Sequence, residues 1–525
     1  MAWQEEPFRF LNFKECLPDK LRFWVYLLFL FVFQFSNVMY FTAMSQMQGE
    51  QSISINDVKM MSHAVLIGLT LYFPLAFRLK FRFTNRTSLI IAATGLLICN
   101  LLVPHIDKPF ILVIIGFVAG FFRLYGTFEC FSNILPKITP TYNYPVFLSF
   151  VFFVVLGVIH LFDALSMQII YFFDWKQLHN LAVGLLLVVI VSAFLLMRPF
   201  RAEAKMPLLG IDFLGMLLWA IFILSLIFVV QYGNTLDWFH SPYIRVATGS
   251  AFVSLGFNIA RINYIRHPFL ESAAFKVNNL GNLLIAFLCL AILLASKNTL
   301  QNTFTAAILH LDTLNLSKLK YFEFFGSVLG AVFSWFTLVR LKWSHKLVTF
   351  AGFSMILVYV FSMCFLVSPQ TNMEKLYLPL MCCSFGHLAI FIALTVYVQA
   401  TAPFKNYFQV LCILGFVRTG IGSPIGDAIY QHGLRQLTDK HLSLIGSNVN
   451  LSLIDCSNVF GTMATEALAA AIRELYGYTF VFGVVVLLLL SASGFKKDVK
   501  KPLPKLRFLY SAIAKKGSKK SLTKV

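Results

Sequence analysis

Residues 213–231, Phe213 to Gln231, read FLGMLLWAIFILSLIFVVQ, with no charged side chain anywhere in the run. At ~1.5 Å of rise per residue, a helix of this length covers the ~30 Å of hydrocarbon in a bilayer. A single such run marks an anchor, so what decides the fold is whether it recurs. Towards the amino terminus further apolar spans lie at Leu21–Ala43, Met60–Phe77, Ser88–Val103, Phe110–Asn133, Val146–Phe173 and Leu181–Met197. Towards the carboxyl terminus they lie at Ile244–Tyr264, Leu280–Ser296, Tyr321–Leu341, Val348–Val367, Leu376–Gln399, Phe408–Tyr430 and Tyr476–Ser493. The expectation is an all-α integral membrane protein of about fourteen spans, numbered here in chain order.

Composition excludes the alternative of a water-soluble globule. The 525 residues are 58% hydrophobic and 13% charged, with a mean hydropathy of +0.76, well beyond a soluble domain. The net charge of +20 is spread over short loops and a tail, which reads as positive-inside topology and not as nucleic-acid binding. With the amino terminus inside, about thirty Lys and Arg fall on the cytoplasmic side against ten outside. Both termini are therefore expected in the cytoplasm, and the protein as multi-pass in the cell (inner) membrane. The first span is too long for a cleavable signal peptide and lacks a small-residue cleavage site.

The nine cysteines are scattered apart from Cys382 and Cys383, without metal-ligand or redox spacing. No disulfide, metal or other cofactor is expected. No phosphate-binding Gly-rich loop, HExxH or GxSxG stands in a suitable context, so neither ATP-driven transport by this chain alone nor an enzyme is indicated. The 57 phenylalanines read as lipid-facing bulk.

The spans divide six, two and six. Residues 1–20 form a cytoplasmic amino terminus, 21–200 a six-helix bundle, 201–268 a linker with two additional spans, 269–495 a second six-helix bundle and 496–525 a basic cytoplasmic tail. The boundary between the sixth and seventh spans is Arg198-Pro199-Phe200-Arg201-Ala202-Glu203-Ala204-Lys205-Met206-Pro207, basic and bracketed by prolines. Asp212 and Gly215 open the seventh span as D-x-x-G, Asp237-Trp238-Phe239-His240-Ser241 closes the hairpin after it, and His267-Pro268 precedes the ninth. After the second span, Phe73-Pro74-Leu75-Ala76 leads into Arg78, Leu79, Arg82 and Arg86.

In these features the chain resembles the major facilitator superfamily, in particular its fourteen-helix drug:proton antiporter branch. The resemblance covers nearly the whole chain and implies two six-helix bundles rocking around a central site. Arg78, Arg82 and Arg86 would then belong to a gating loop, although the loop's glycine, aspartate and second glycine fall on Phe77, Phe81 and Thr84. The acidic residue usual in the first span is missing from Gln34-Phe35-Ser36-Asn37-Val38-Met39. Gly116, Ala119 and Gly120 keep only the last glycine of the motif in the fourth span, and the Gly/Pro signature of the fifth is replaced by Leu156–Gln168. The resemblance in fold is thus closer than the resemblance in proton-coupled drug export.

Ionisable groups at bilayer depth cost at least ~2.5–3.5 kcal/mol on insertion scales and so need partners or a wet cavity. The candidates are Arg123 and Glu129 in the fourth span, His160 and Asp163 in the fifth, His387 in the twelfth, and Arg418 and Asp427 in the thirteenth. Asp163, His160, Glu129 and Asp427 are the proton-coupling candidates; Arg123, Arg418 and His387 are the substrate-binding ones. His160 and Asp163 share a helical face and read either as a proton-passing pair or as a structural one. Glu129 is a coupling group or a salt bridge at the cytoplasmic end, and Arg123, about 120° away around the helix, faces other neighbours. His387 beside Ser384 and Gly386 is either a ligand or a helix contact. Arg418, among Gly415, Gly420, Gly422, Pro424 and Gly426, sits where the helix should bend. There it binds an anionic group in two-point fashion or pairs with an acid across the bundle.

The sequence therefore points to a secondary transporter for a small organic solute or drug, exporting it against protons across the lipid bilayer. A non-transporting sensor or assembly partner on the same fold is the competing reading. Whether a polar central cavity opens between the halves separates the two. A periplasmic adaptor protein as partner is left open.

Overall fold

The computed structural model describes residues 12–15, 17–140, 143–201, 205–207, 210–447 and 456–492. The basic tail, residues 1–11 and part of the linker lie outside the described residues. Among the described ones, fourteen helices are long enough to span a bilayer: α1 (Asp19–Thr42), α2 (Ile55–Arg82), α3 (Asn85–His105), α4 (Pro109–Ile138), α5 (Tyr144–Phe172), α6 (Trp175–Leu196), α7 (Phe213–Tyr232), α8 (Pro242–Tyr264), α9 (Leu280–Ile308), α10 (Thr313–Arg340), α11 (His345–Leu366), α12 (Met373–Thr401), α13 (Tyr407–Ile445) and α14 (Gly461–Ala492). Thirteen are also apolar enough to cross; the exception is α8, whose 23 residues carry Arg245, Asn258 and Arg261.

Buried apolar side chains fall mainly into two clusters. One runs from Phe13 to Met197; the other takes in α7 and α9–α14 and recruits Met60, Ile67, Leu71 and Leu75 from α2. Within each, one helix pair comes together through glycine. A Cβ on Gly120 of α4 would lie 1.8 Å from the Val65 carbonyl oxygen of α2, and one on Gly326 of α10 would lie 2.2 Å from the Met381 carbonyl of α12. Without hydrophobic drive between helices in lipid, such backbone proximity supplies the packing contact. Helices α2 and α4 hold the places in the first bundle that α10 and α12 hold in the second, the repeat expected of this architecture.

The D-x-x-G motif opening α7 is a structural clip. Asp212 Oδ1 accepts from the Gly215 N–H at 2.8 Å, capping the helix. The same carboxylate pairs with Arg261 near the end of α8 and accepts from the Phe269 N–H at 3.2 Å. A Cβ at Gly215 would come within 2.2 Å of Asp212 Oδ2, so only glycine permits this cap. Helix α7 packs against α2 and α13 as well as α8.

Several helices outrun their apolar runs. Helix α9 was expected to stop at Ser296 but continues to Ile308 through two π-helical turns, Lys297–Gln301 and Phe304–Ile308. Its polar residues end the hydropathy signal yet Thr299, Leu300 and Gln301 are buried by protein. Helix α13 was expected to bend in the stretch of Gly415, Gly420, Gly422, Pro424 and Gly426 around Arg418; a π-helical turn over Phe416–Gly422 lies there.

Candidate functional site

A cavity of about 760 Å³ lies between the two bundles, with walls from α2, α4 and α5 on one side and α9, α12 and α13 on the other. Asn12, Phe200 and Met206 contribute to it, which places its wide end on the face carrying the amino terminus. On α5 its lining runs from Tyr144 to Ile159. Twelve phenylalanines line it, among them Phe77, Phe128, Phe391 and Phe408. This corrects the expectation that phenylalanine serves only as lipid-facing bulk: an apolar side chain in a membrane protein can face lipid or an internal void, and hydropathy does not distinguish them.

Arg123 and Arg418 face each other's bundles across this space. Both line the cavity, Arg123 from α4 and Arg418 from the π-helical turn of α13. Arg123 is 3% exposed, and its Nη2 donates to Gln34 Oε1 at 2.5 Å, while Gln34 Nε2 donates to Thr127 at 3.0 Å. Gln34, from the stretch in which the resembled branch usually carries an acid, thus orients the arginine without neutralising it. Arg418 lies over the Phe391 ring at 4.6 Å, a cation–π contact. Its Nη1 is buried with no hydrogen-bond partner. His387 is absent from the cavity wall; its ring meets Phe391 edge-on with centroids 6.3 Å apart.

Beyond the closed end of the cavity the bundles are joined by charge. His160 Nδ1 donates to Glu323 Oε2 at 3.0 Å, and Lys320 Nζ reaches Asp163 Oδ2 at 3.2 Å. The two pairs form a ladder because α5 and α10 run antiparallel and each contributes residues three apart, one helical turn. Lys297 of α9 adds a contact of 2.8 Å to Glu323, and Lys320 lies 3.5 Å from the same oxygen. Thr42 of α1 donates to Asp163 at 2.5 Å. The expectation of His160 and Asp163 as a mutual pair is therefore corrected: they share a face, but each is satisfied by the opposite bundle. Glu323 is fully buried, and its Oε1 has no hydrogen-bond partner. Lys297, Lys320 and Glu323 were not among the sequence candidates. Glu323, a carboxylate inside an apolar run, carried the signal that could have found it.

Of the other candidates, Glu129 stays within one bundle, whereas Asp427 also faces the charge of Lys59 on α2. Glu129 accepts from Asn133 at 2.9 Å and lies 3.6 Å from Lys80, all between α2 and α4. Its distance around α4 from Arg123 does give the two different neighbours. Asp427 accepts from Thr299 at 3.1 Å, linking α9 and α13. The expected gating-loop arginines lie on helices: at the end of α2, Arg78 Nη1 donates to the Gly210 carbonyl at 2.5 Å and Arg82 is half-buried, and at the start of α3, Arg86 lies 4.5 Å over the Phe194 ring of α6. Arg78 thus engages the linker and Arg86 its own bundle, not the opposite bundle a gate would grip.

No family model and no curated protein matches the sequence. Solved structures do match its fold. An auto-inhibited peptide transporter of the POT family aligns over 94% of this chain and 100% of its own, with a TM-score of 0.56 and 12% identity. The inward-open xylose transporter XylE from E. coli aligns over 94% and 99%, with a TM-score of 0.52 and 12% identity. The human organic anion transporter MFSD10 aligns over 90% and 100%, with a TM-score of 0.53 and 11% identity. At such identities the likeness concerns the fold, and the fold is that of the major facilitator transporters.

Proposed function

We propose that this protein is a proton-coupled secondary transporter that exports a small organic solute by alternating access, in the manner of the fourteen-helix antiporters. Both termini lie in the cytoplasm and the protein sits in the cell inner membrane, a reading supported by the distribution of Lys and Arg. Arg123 and Arg418 take the substrate in the cavity, which loads from the cytoplasmic face.

The observation that carries this reading is the position of the buried ladder. On α5 the cavity ends at Ile159 and the ladder begins at His160; on α9, Lys297 lies ten residues, ~15 Å of helix, beyond the cavity residue Phe287. An open void and a charged lock thus follow one another along the same interface, an arrangement that suits alternating access. Coupling falls to the ladder because a coupling group must respond to both bundles. Asp163 and Glu323 do through ion pairs between the bundles, whereas Glu129 does not cross between them and Asp427 meets Lys59 of α2 only at longer range. A proton arriving from outside neutralises the Glu323 carboxylate and removes a negative charge that holds two lysines. The lock weakens and the outer face opens; Glu323 Oε1, which has no hydrogen-bond partner, is the oxygen left for that proton.

Thiol labelling tests this. In a cysteine-free background, Ser317→Cys places a thiol at a buried position of α10 one turn from the ladder. Labelling by an impermeant maleimide from outside should rise when the outer pH is lowered; the reagent's own reactivity falls with pH, so the rate is normalised to an exposed control thiol. A normalised rate independent of pH would argue against proton-linked opening.

A further inference from the structure

We infer that the substrate is an aromatic organic anion, a flat apolar body carrying a carboxylate held by Arg123 and Arg418. The inference rests on the reading of the cavity as the transport site and names the chemistry it selects.

Charge supplies the first argument. Among the described residues, four cationic side chains line the cavity, Lys80, Arg123, Lys405 and Arg418, and no aspartate or glutamate does. Two of the four are balanced nearby, Lys80 by Glu129 at 3.6 Å and Lys405 by Glu271 at 2.9 Å. Arg123 has only the neutral Gln34, and Arg418 only an aromatic face and an orphan Nη1. Two guanidinium groups without a carboxylate, at a depth where an unpaired cation is costly, leave a positive field that an anion completes. The planar fork of arginine matches a carboxylate in two-point fashion, which lysine does not. A cationic or zwitterionic solute finds no acid on this wall to receive its ammonium group.

Three of the hydroxyls weigh against a second class. Thr70, Thr395 and Thr419 line the cavity but donate to carbonyls of their own helices, those of Leu66 at 2.8 Å, Phe391 at 2.5 Å and Gly415 at 2.7 Å. A sugar needs many free donors and acceptors and would meet few here. The phenylalanines instead offer ring faces and edges to an aromatic body, and ~300–1,000 Å³ is the usual size of a site that buries such a ligand. Because the arginines come from opposite bundles, one anion held between them is a contact that both bundles share. Substrate binding thereby favours closing the cavity on the cytoplasmic side, the step that follows loading.

The test uses the full chain in detergent and three probes of one shape: 1-naphthoate, the neutral 1-naphthamide and the cationic 1-naphthylmethylammonium. Benzoate and 2-anthracenecarboxylate extend the carboxylate series in size. Affinity is read by calorimetry. At least one carboxylate should bind ~10-fold or more tightly than the amide and amine, and Arg123→Gln or Arg418→Gln should each lose about that factor. Arg418→Lys, which keeps the charge but not the fork, should recover part of it and covers the case in which the glutamine variant folds poorly. Equal binding of amide or amine, unchanged affinity in both folded glutamine variants, or no binding by any carboxylate of the series would each overturn the inference. Since no gradient is present, absence of proton drive in vesicles would leave a charge-selective site standing. Proton drive with no charge selectivity would refute the site alone.

Discussion

His160 Nδ1 lies 3.0 Å from Glu323 Oε2, joining two helices of opposite bundles at the buried end of their interface. One carboxylate oxygen there serves a histidine and two lysines, Lys297 and Lys320. Removing the negative charge strands those cations, and breaking a buried pair costs about 3–5 kcal/mol. A shift of ~5.5 kcal/mol moves a two-state equilibrium from 1:99 to 99:1, so this one contact supplies more than half of what a full switch of the open face requires. Glu323→Gln should therefore keep a thiol at Ser317→Cys reactive from outside at neutral pH and make its normalised labelling insensitive to acidification. Labelling as slow as in the parent protein would show that the ladder does not hold the outer face closed.

The second rung makes a separable claim. Asp163 and Lys320 approach to 3.2 Å, and Asp163→Asn removes the charge while keeping the size. It should raise outer-face labelling, less than Glu323→Gln does, because Thr42 still has an acceptor there. The exchanged pair, Asp163→Lys with Lys320→Asp, restores opposite charges and should label more slowly than either single reversal. Labelling of the double variant equal to the sum of the singles would mean the two residues do not interact.

The clip at Asp212 gives a pH prediction. Burial pushes this carboxyl up, but hydrogen bonds from Arg261 and from the Gly215 and Phe269 N–H groups outweigh it and hold the group below its ordinary range. A folded-state value below the unfolded one, about 3.9, makes its stabilisation complete above that pH; it is lost as pH falls through the folded value. Asp212→Asn should lower thermal stability by the equivalent of about 1–3 kcal/mol, uniformly from pH 5 to 8. The gap to the parent protein should narrow only below about pH 4. A gap that narrows as pH rises would reverse the sign of the argument.

Gly120 tests the packing of the first bundle. With the Val65 carbonyl 1.8 Å from a Cβ built there, Gly120→Ala cannot be accepted without moving α4 from α2, and overpacking of this kind costs about 1–3 kcal/mol. Folded yield and melting temperature should both fall. Gly184→Ala, with nothing within 4 Å of its Cβ, should change neither.

The architecture was legible because apolar runs and basic loops are local properties. Phe213–Gln231 identifies itself, and Asp212 and Gly215 announce a helix start. His160, Asp163, Arg123 and Arg418 were visible as ionisable groups at bilayer depth. Their partners were not, since Glu323 meets His160 and Lys320 meets Asp163 through contacts between opposite bundles, which leave no periodic trace. Lys297 was missed for another reason: it falls just after the apolar run that appeared to end α9 at Ser296, although the helix goes on. The aromatic cavity was hidden because a phenylalanine facing a void and one facing lipid are identical in hydropathy.

The central claim, that the ladder couples protons to movement of a solute, is tested most directly in proteoliposomes with a bound aromatic carboxylate as the transported probe. Two fluxes are compared, exchange of labelled for unlabelled probe at equal pH and accumulation driven by an imposed pH step. Exchange needs the cavity and its arginines, whereas driven accumulation also needs the proton-binding carboxylate. The account predicts that Glu323→Gln exchanges the probe but no longer accumulates it in response to the pH step, while Arg418→Gln loses both. Gradient-driven accumulation by Glu323→Gln at the parent rate would contradict it.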